Sequence, residues 1–163
     1  AVRNSGIPKY PVLANTLLRA AIPIIGNRKT MKKKSIPTIN IEPENVQVLN
    51  NYSYYLSLRN HDIERAIEMS KKSNEISPNN ASFQDTYAWI LYQQKEYKEA
   101  KIWLQKAYEN GGNLSPVITE HYGDVCFQLG DKEQALIFWQ KAKSLGEGSK
   151  YLDKKIAEKI LYE

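Results

Sequence analysis

A repeat constrains this chain more than any other feature. Ala66, Ala100 and Ala135 recur at intervals of 34 and 35 residues, and each is followed seven places on by a second small residue, Ser73, Ala107 and Ala142. A period in that range means stacked helical hairpins, because one such pair cannot bury its apolar face without a neighbour. Twelve or thirteen residues ahead of each alanine stands another small residue, Ser53, Ala88 or Gly123, with a tyrosine before it (Tyr52, Tyr87, Tyr122). The periodicity predicts two helices per unit: Leu49 to Leu58, Gln84 to Gln93 and Thr119 to Gln128 as first helices, and Ile63 to Ile76, Tyr97 to Asn110 and Lys132 to Leu145 as second helices. Small residues fall where the two cross closely.

The spacing also shows where the unit is elastic. Ser53 to Ala66 is one residue longer than Ala88 to Ala100 or Gly123 to Ala135, which places an added residue at Asn60-His61, and a second addition falls near Asn110-Gly111-Gly112. Both lie in predicted turns. A loop absorbs a length change cheaply, whereas an insertion inside a helix rotates every following side chain off its face.

Residues Tyr87-Ala88, Leu91, Tyr97, Ala100, Leu104 and Ala107, and again Tyr122-Gly123, Gly130-Asp131, Ala135, Trp139 and Ala142, resemble the tetratricopeptide repeat. The first unit departs from that pattern, with Ser70 and Ser73 where a large apolar residue and an alanine are usual. Ser77-Pro78-Asn79-Asn80 and, 35 residues earlier, Glu42-Pro43-Glu44-Asn45 look like the turn between repeats. The resemblance covers residues 41 to 163. It implies an all-α, right-handed solenoid of three helix-turn-helix repeats (about 46–80, 81–113 and 114–147), whose concave surface is lined by first helices and commonly holds a peptide or helix. The array needs an end cap, and Ser149 to Tyr162 reads as one, with Ser149 as N-cap, Leu152, Ile156 and Ile160 on one side and Asp153, Lys154, Glu158 and Lys159 on the other. The run Asn50 to Leu56 with Asp85 to Trp89 is similar to repeats of bacterial, often envelope-associated, members of this family; neither compartment nor partner follows from that.

Residues 1–44 read as a basic, mostly irregular leader that ends in a repeat-type turn. Up to residue 45 there are eight Lys or Arg against Glu42 and Glu44, whereas the remainder carries 15 basic and 16 acidic residues. The net charge of +5 is therefore no evidence that the repeat body binds nucleic acid. Val12 to Ile25 is apolar but holds Asn15, Arg19 and Pro23 and is too short to span a bilayer; the basic residues follow it, which argues against a secretory signal. A short helix from Asn15 to Ile22 fits inside the irregular reading. Two alternatives stay open: a decayed helix pair covering the first repeat, and an anionic surface bound by Arg28-Lys29 and Lys32-Lys33-Lys34.

No catalytic, cofactor or metal site is read. His61 and His121 stand 60 residues apart in non-adjacent repeats, and Gly146 to Lys150 lacks the ending and the preceding strand of a phosphate loop. Cys126, the single cysteine, reads as a buried core thiol. The resemblance maps the groove instead: Gln47, Asn50, Tyr54 and Ser57 in repeat one, Ser82, Asp85, Trp89 and Tyr92 in repeat two, and Val117, Glu120, Asp124 and Phe127 in repeat three. Tyr54, Trp89, Tyr92 and Phe127 would form an aromatic strip bordered by Asp85, Glu120 and Asp124, suited to a partner segment that is apolar or aromatic and basic. Packing against the next repeat competes with ligand binding for Trp89 and is the stronger reading for Phe127. Members that clamp a C-terminal carboxylate use basic residues here, and the acidic ones in this chain disfavour that partner class. Two functions result: a non-catalytic scaffold holding a peptide or helix of another protein, or an assembly module that self-associates or stacks on further repeats, with Leu49 and Leu56 as contact residues and the leader on an anionic surface.

Overall fold

The computed structural model describes residues 45–59 and 62–162. The leader of residues 1–44, with both its alternatives, and the added residue at Asn60-His61 lie outside them. The described residues form seven α-helices and no strand: α1 (Val46–Leu58), α2 (Ile63–Ile76), α3 (Ala81–Gln93), α4 (Tyr97–Glu109), α5 (Pro116–Gln128), α6 (Lys132–Leu145) and α7 (Leu152–Glu158), with a 3-10 turn at Gly112–Leu114 before α5. Helices pair as α1–α2, α3–α4 and α5–α6. Each pair packs on the next, first helix touches first helix, and α7 closes on α6. This is an all-α solenoid of helix-turn-helix repeats.

The first helices begin three residues earlier than the apolar pattern indicates. Side-chain caps close their first turns. The Asn45 side chain accepts from the Val48 N–H, Asn80 from those of Ser82 and Phe83, and Ser115 from that of Ile118, with Pro116 in the first turn of α5. Each cap satisfies donors that the helix itself leaves open, and proline there forfeits nothing. The turn between first and second helices recurs: Lys95 and Gly130, 35 residues apart, both take positive φ (63° and 88°), and the N–H of the next residue bonds back to Leu91 and to Cys126. Glycine adopts that conformation freely, whereas Lys95 adopts it at some strain.

The small residues do what their spacing implies. Ala66, Ala88, Ala100, Ala107, Ala135 and Ala142 are fully buried. Around them the core runs across repeat boundaries: Ile90 of α3 packs with Leu49, Leu56, Ala66 and Met69, while Ile118, Tyr122 and Val125 of α5 pack with Leu91, Leu104 and their neighbours in repeat two. Leu49 and Leu56 are therefore core residues of repeat one and are not available as a self-association surface. Gly123 has a specific reason to lack a side chain, since a Cβ there would sit 2.5 Å from Trp139 Cδ1. Ser70 and Ser73 are also fully buried; the Ser73 hydroxyl donates to the Ser70 carbonyl at 2.8 Å.

The end cap differs from its sequence reading. α7 spans only Leu152–Glu158 and starts after Tyr151, with no side-chain cap. The Ser149 hydroxyl accepts from the Tyr151 N–H, ahead of the helix, and Ser149 donates from its N–H and hydroxyl to Glu120. Lys159 takes positive φ and ends the helix, which leaves Ile160 outside it and half exposed. The buried side of α7 carries Leu152 and Lys155.

Candidate protein-binding groove

The groove positions of the three first helices meet three different fates. In α5, Glu120 and Asp124 are 2% and 3% exposed. Lys155 of α7, itself 3% exposed, places its ammonium 2.9 Å from Glu120 Oε1 and 2.8 Å from both oxygens of Asp124. Trp139 Nε1 donates to Asp124 Oδ1 at 2.8 Å, and Ser149 donates to Glu120 from its backbone N–H at 2.6 Å and from its hydroxyl at 2.5 Å. Gly148 sits so close that a Cβ would collide with Glu120 Oε2 and Leu152. The two acids expected to border the ligand thus lie under α7 and hold it in place.

Two carboxylates around one ammonium split in behaviour. Burial raises both, but Lys155 and the two Ser149 donors outweigh it at Glu120, which stays below the ordinary carboxylate value. At Asp124 burial prevails over Lys155 and His121, and its carboxyl is pushed up to about 6.

Repeat two keeps its groove residues nearer the surface. Asp85 Oδ1 lies 2.8 Å from His121 Nδ1, with side-chain exposures of 14% and 18%. Trp89, half-buried, stacks on the His121 ring (centroids 4.1 Å apart) and on Tyr92 (4.8 Å). The Gln93 amide satisfies its neighbours with its nitrogen donating to the Ser57 carbonyl (2.8 Å) and its oxygen accepting from Trp89 Nε1 (3.0 Å). Tyr92 is buried, and its hydroxyl accepts from Gln128 Nε2 at 3.2 Å. Burial alone would lower the pKa of His121; the Asp85 carboxylate, with Asp124 and Glu120 beyond it, more than offsets this and holds it above the ordinary value.

In repeat one, Asn50 is 5% exposed and its side-chain oxygen has no hydrogen-bond partner among the described residues. Tyr54 is half-buried with its ring tilted against Tyr55 at 6.1 Å. Phe127 stacks on Trp139 at 5.6 Å, so its aromatic surface goes into the end of the array. The residues brought together at the surface are accordingly Asp85, Trp89 and His121, with Tyr54 on the neighbouring first helix. Sequence reasoning passed over His121 because it was weighed only as a metal or catalytic ligand, and passed over Lys155 altogether, although it stands three residues after Leu152 and beside Ile156, on the apolar side of α7. Among the described residues no group of His, Cys, Asp and Glu could hold a metal ion.

Residues 59–142, just over half of the chain, match the family described as anaphase-promoting complex, cyclosome, subunit 3. The chain belongs to that tetratricopeptide-repeat family. The match does not carry the finer likeness to bacterial members. Among solved structures, the tetratricopeptide array is similar to the first such domain of Spaghetti (RPAP3) bound to the HSP90 peptide SRMEEVD, at 15% identity and a TM-score of 0.64 over 74% of this chain and 94% of that one. The Sgt2 domain from Aspergillus fumigatus is similar at 15% identity and a TM-score of 0.63, over 70% and 76%. YrrB, described as a tetratricopeptide protein with an unusual peptide-binding site, is similar at 26% identity and a TM-score of 0.57, over 64% and 53%. No curated protein matches the chain.

Proposed function

We propose that this protein is a non-catalytic interaction scaffold that binds a peptide or helix of another protein along the concave surface of α1, α3 and α5. The observation that carries the reading is the Asp85–Trp89–His121 group: an indole fixed by stacking and by Gln93, only partly buried, beside a carboxylate on the first-helix face. A rigid aromatic with a charged neighbour is the usual make-up of a binding hot spot. Peptide binding named for two of the similar solved structures supports the reading. Glu120 and Asp124 drop out of the contact set, Asn50 and Tyr92 are buried and Phe127 packs on Trp139, so the surface narrows to Tyr54, Asp85, Trp89 and His121.

The test is capture by the full chain against two variants of equal helicity by circular dichroism: Trp89→Ala with Asp85→Lys, and Ile102→Ser with Ile137→Ser, which alters exposed residues of second helices. A partner retained by the native chain and the Ile variant but lost by the Trp89 variant supports the groove. Equal capture by all three sinks it. A second reading, stacking of repeat one on a further unit or a second copy, is favoured by Leu58 and Ile76, both about half exposed. Mass that rises with concentration and no longer does so in Leu58→Ser, Ile76→Ser would support it.

A further inference from the structure

Of the three carboxylates at the groove positions, Glu120 and Asp124 are closed by Lys155, which leaves Asp85 as the one able to meet a ligand. Its Oδ1 carries the contact to His121, while its second oxygen has no protein partner among the described residues. Beside it lies the indole of Trp89, held by the Gln93 amide and stacked on the same imidazole. A carboxylate oxygen next to a fixed aromatic ring is a receptor for a guanidinium or ammonium group, through pairing and cation–π contact together.

The same geometry supplies a competitor. The charged groups around His121 are Asp85 from α3, Glu120 and Asp124 on α5 itself, and Lys155 from α7 behind those two. Because Lys155 takes up the Glu120 and Asp124 charges, the imidazolium has Asp85 as its direct partner. We propose, resting on the groove reading, that Asp85 receives a basic side chain of the partner and that His121 gates it: a protonated His121 holds the carboxylate, and a neutral one releases it. Proton and cation compete for one carboxylate, so affinity rises with pH, and by linkage the bound cation makes His121 give up its proton more readily. The Asp85 carboxylate raises the pKa of His121, so the gate works above the ordinary imidazole value.

The experiment follows the His121 ring and the three separate indole N–H signals by NMR in the isotope-labelled full chain, with N-acetyl-arginine amide as the probe cation. His121 is expected to titrate above the ordinary value of about 6.5 and to move down in Asp85→Asn. The probe should shift the Trp89 signal severalfold more at about pH 8 than at about pH 5.5, with this contrast lost in His121→Gln. A His121 that titrates at or below the ordinary value, or is unmoved by Asp85→Asn, overturns the gate; so does a Trp89 response that is absent at the higher pH or equal at both. If Asp85→Asn loses helicity, His121→Gln decides alone. None of these outcomes bears on partner capture, which tests the groove by itself.

Discussion

Repeats two and three carry their polar groove residues in the same register, Asp85 and Trp89 against Glu120 and Asp124, each 35 residues apart, and yet one pair stays near the surface while the other is buried. What differs is the neighbour. α3 is followed by another first helix, α5, which contributes a histidine at the edge of the groove; α5 is followed by α7, which lays Leu152 and Lys155 over the same positions. A groove position is therefore defined by the element that comes next as much as by its own side chain. In repeat three the acids hold the cap, and in repeat two the acid stays near the surface, where the proposed ligand would meet it.

The sharpest way to break this comparison is to remove the lysine. Lys155→Met leaves two buried carboxylates without a cation, and unfolding by urea should show a loss of about 3–5 kcal/mol. Adding Glu120→Gln and Asp124→Asn to the same chain should recover much of it, because the charges that needed Lys155 are gone; a strictly additive result would show that Lys155 acts through packing alone. Asp85→Asn, at the equivalent place in repeat two, should cost far less. Gly123→Ala comes next. The added methyl collides with the indole that donates to Asp124, and thermal unfolding should report a loss of about 1–3 kcal/mol.

The repeat architecture was legible because its signal is steric. Fully buried alanines at the helix crossings must be small in every unit, so they survive as a period. Gly123 belongs to the same series and owes its place to Trp139. The helix starts were not legible from apolar spacing, because their first turns are set by Asn45, Asn80 and Ser115 through hydrogen bonds that a hydrophobic count ignores. The site was half legible. Register puts Asp85 and Trp89 on one face of α3, where both are only partly buried, but the burial of Glu120 and Asp124 depends on a contact 31 to 35 residues away in sequence, and only the position of Lys155 on the apolar side of α7 hinted at it.

The pH dependence of stability sharpens the comparison further, since the two regions titrate differently. Asp124 has a folded pKa of about 6, above its ordinary value of 3.8, so its contribution to stability is complete below the ordinary value and is lost as pH rises toward and through about 6. His121, also raised, adds stability that is complete below its ordinary value of 6.5 and lost as pH climbs through its folded value. Glu120, lowered, acts oppositely, and its contribution goes as pH falls below 4.5. Stability should therefore decline from mildly acidic to alkaline pH, with each group adding at most about 1.4 kcal/mol per pH unit. Asp124→Asn should flatten the lower part of that decline and His121→Gln the upper part. One variant flattening both would mean the two regions titrate as a single network.

The smallest expected effect belongs to repeat one. Asn50 shares the register of Asp85 and Glu120, but among the described residues it is neither paired like the one nor covered by a cation like the other, and its buried oxygen has no partner there. An unsatisfied buried acceptor costs stability, and replacing it by an apolar residue of similar size removes that cost. Asn50→Leu should therefore leave urea stability unchanged or raise it by up to about 1 kcal/mol. If stability rises while partner capture is untouched, Asn50 is a packing residue and Tyr54 is what repeat one offers a ligand. If stability rises and capture falls, the unpartnered oxygen is held for the ligand, and the contrast between repeats extends to three distinct uses of one helical position: a ligand acceptor, a gated carboxylate and a lock for the terminal helix.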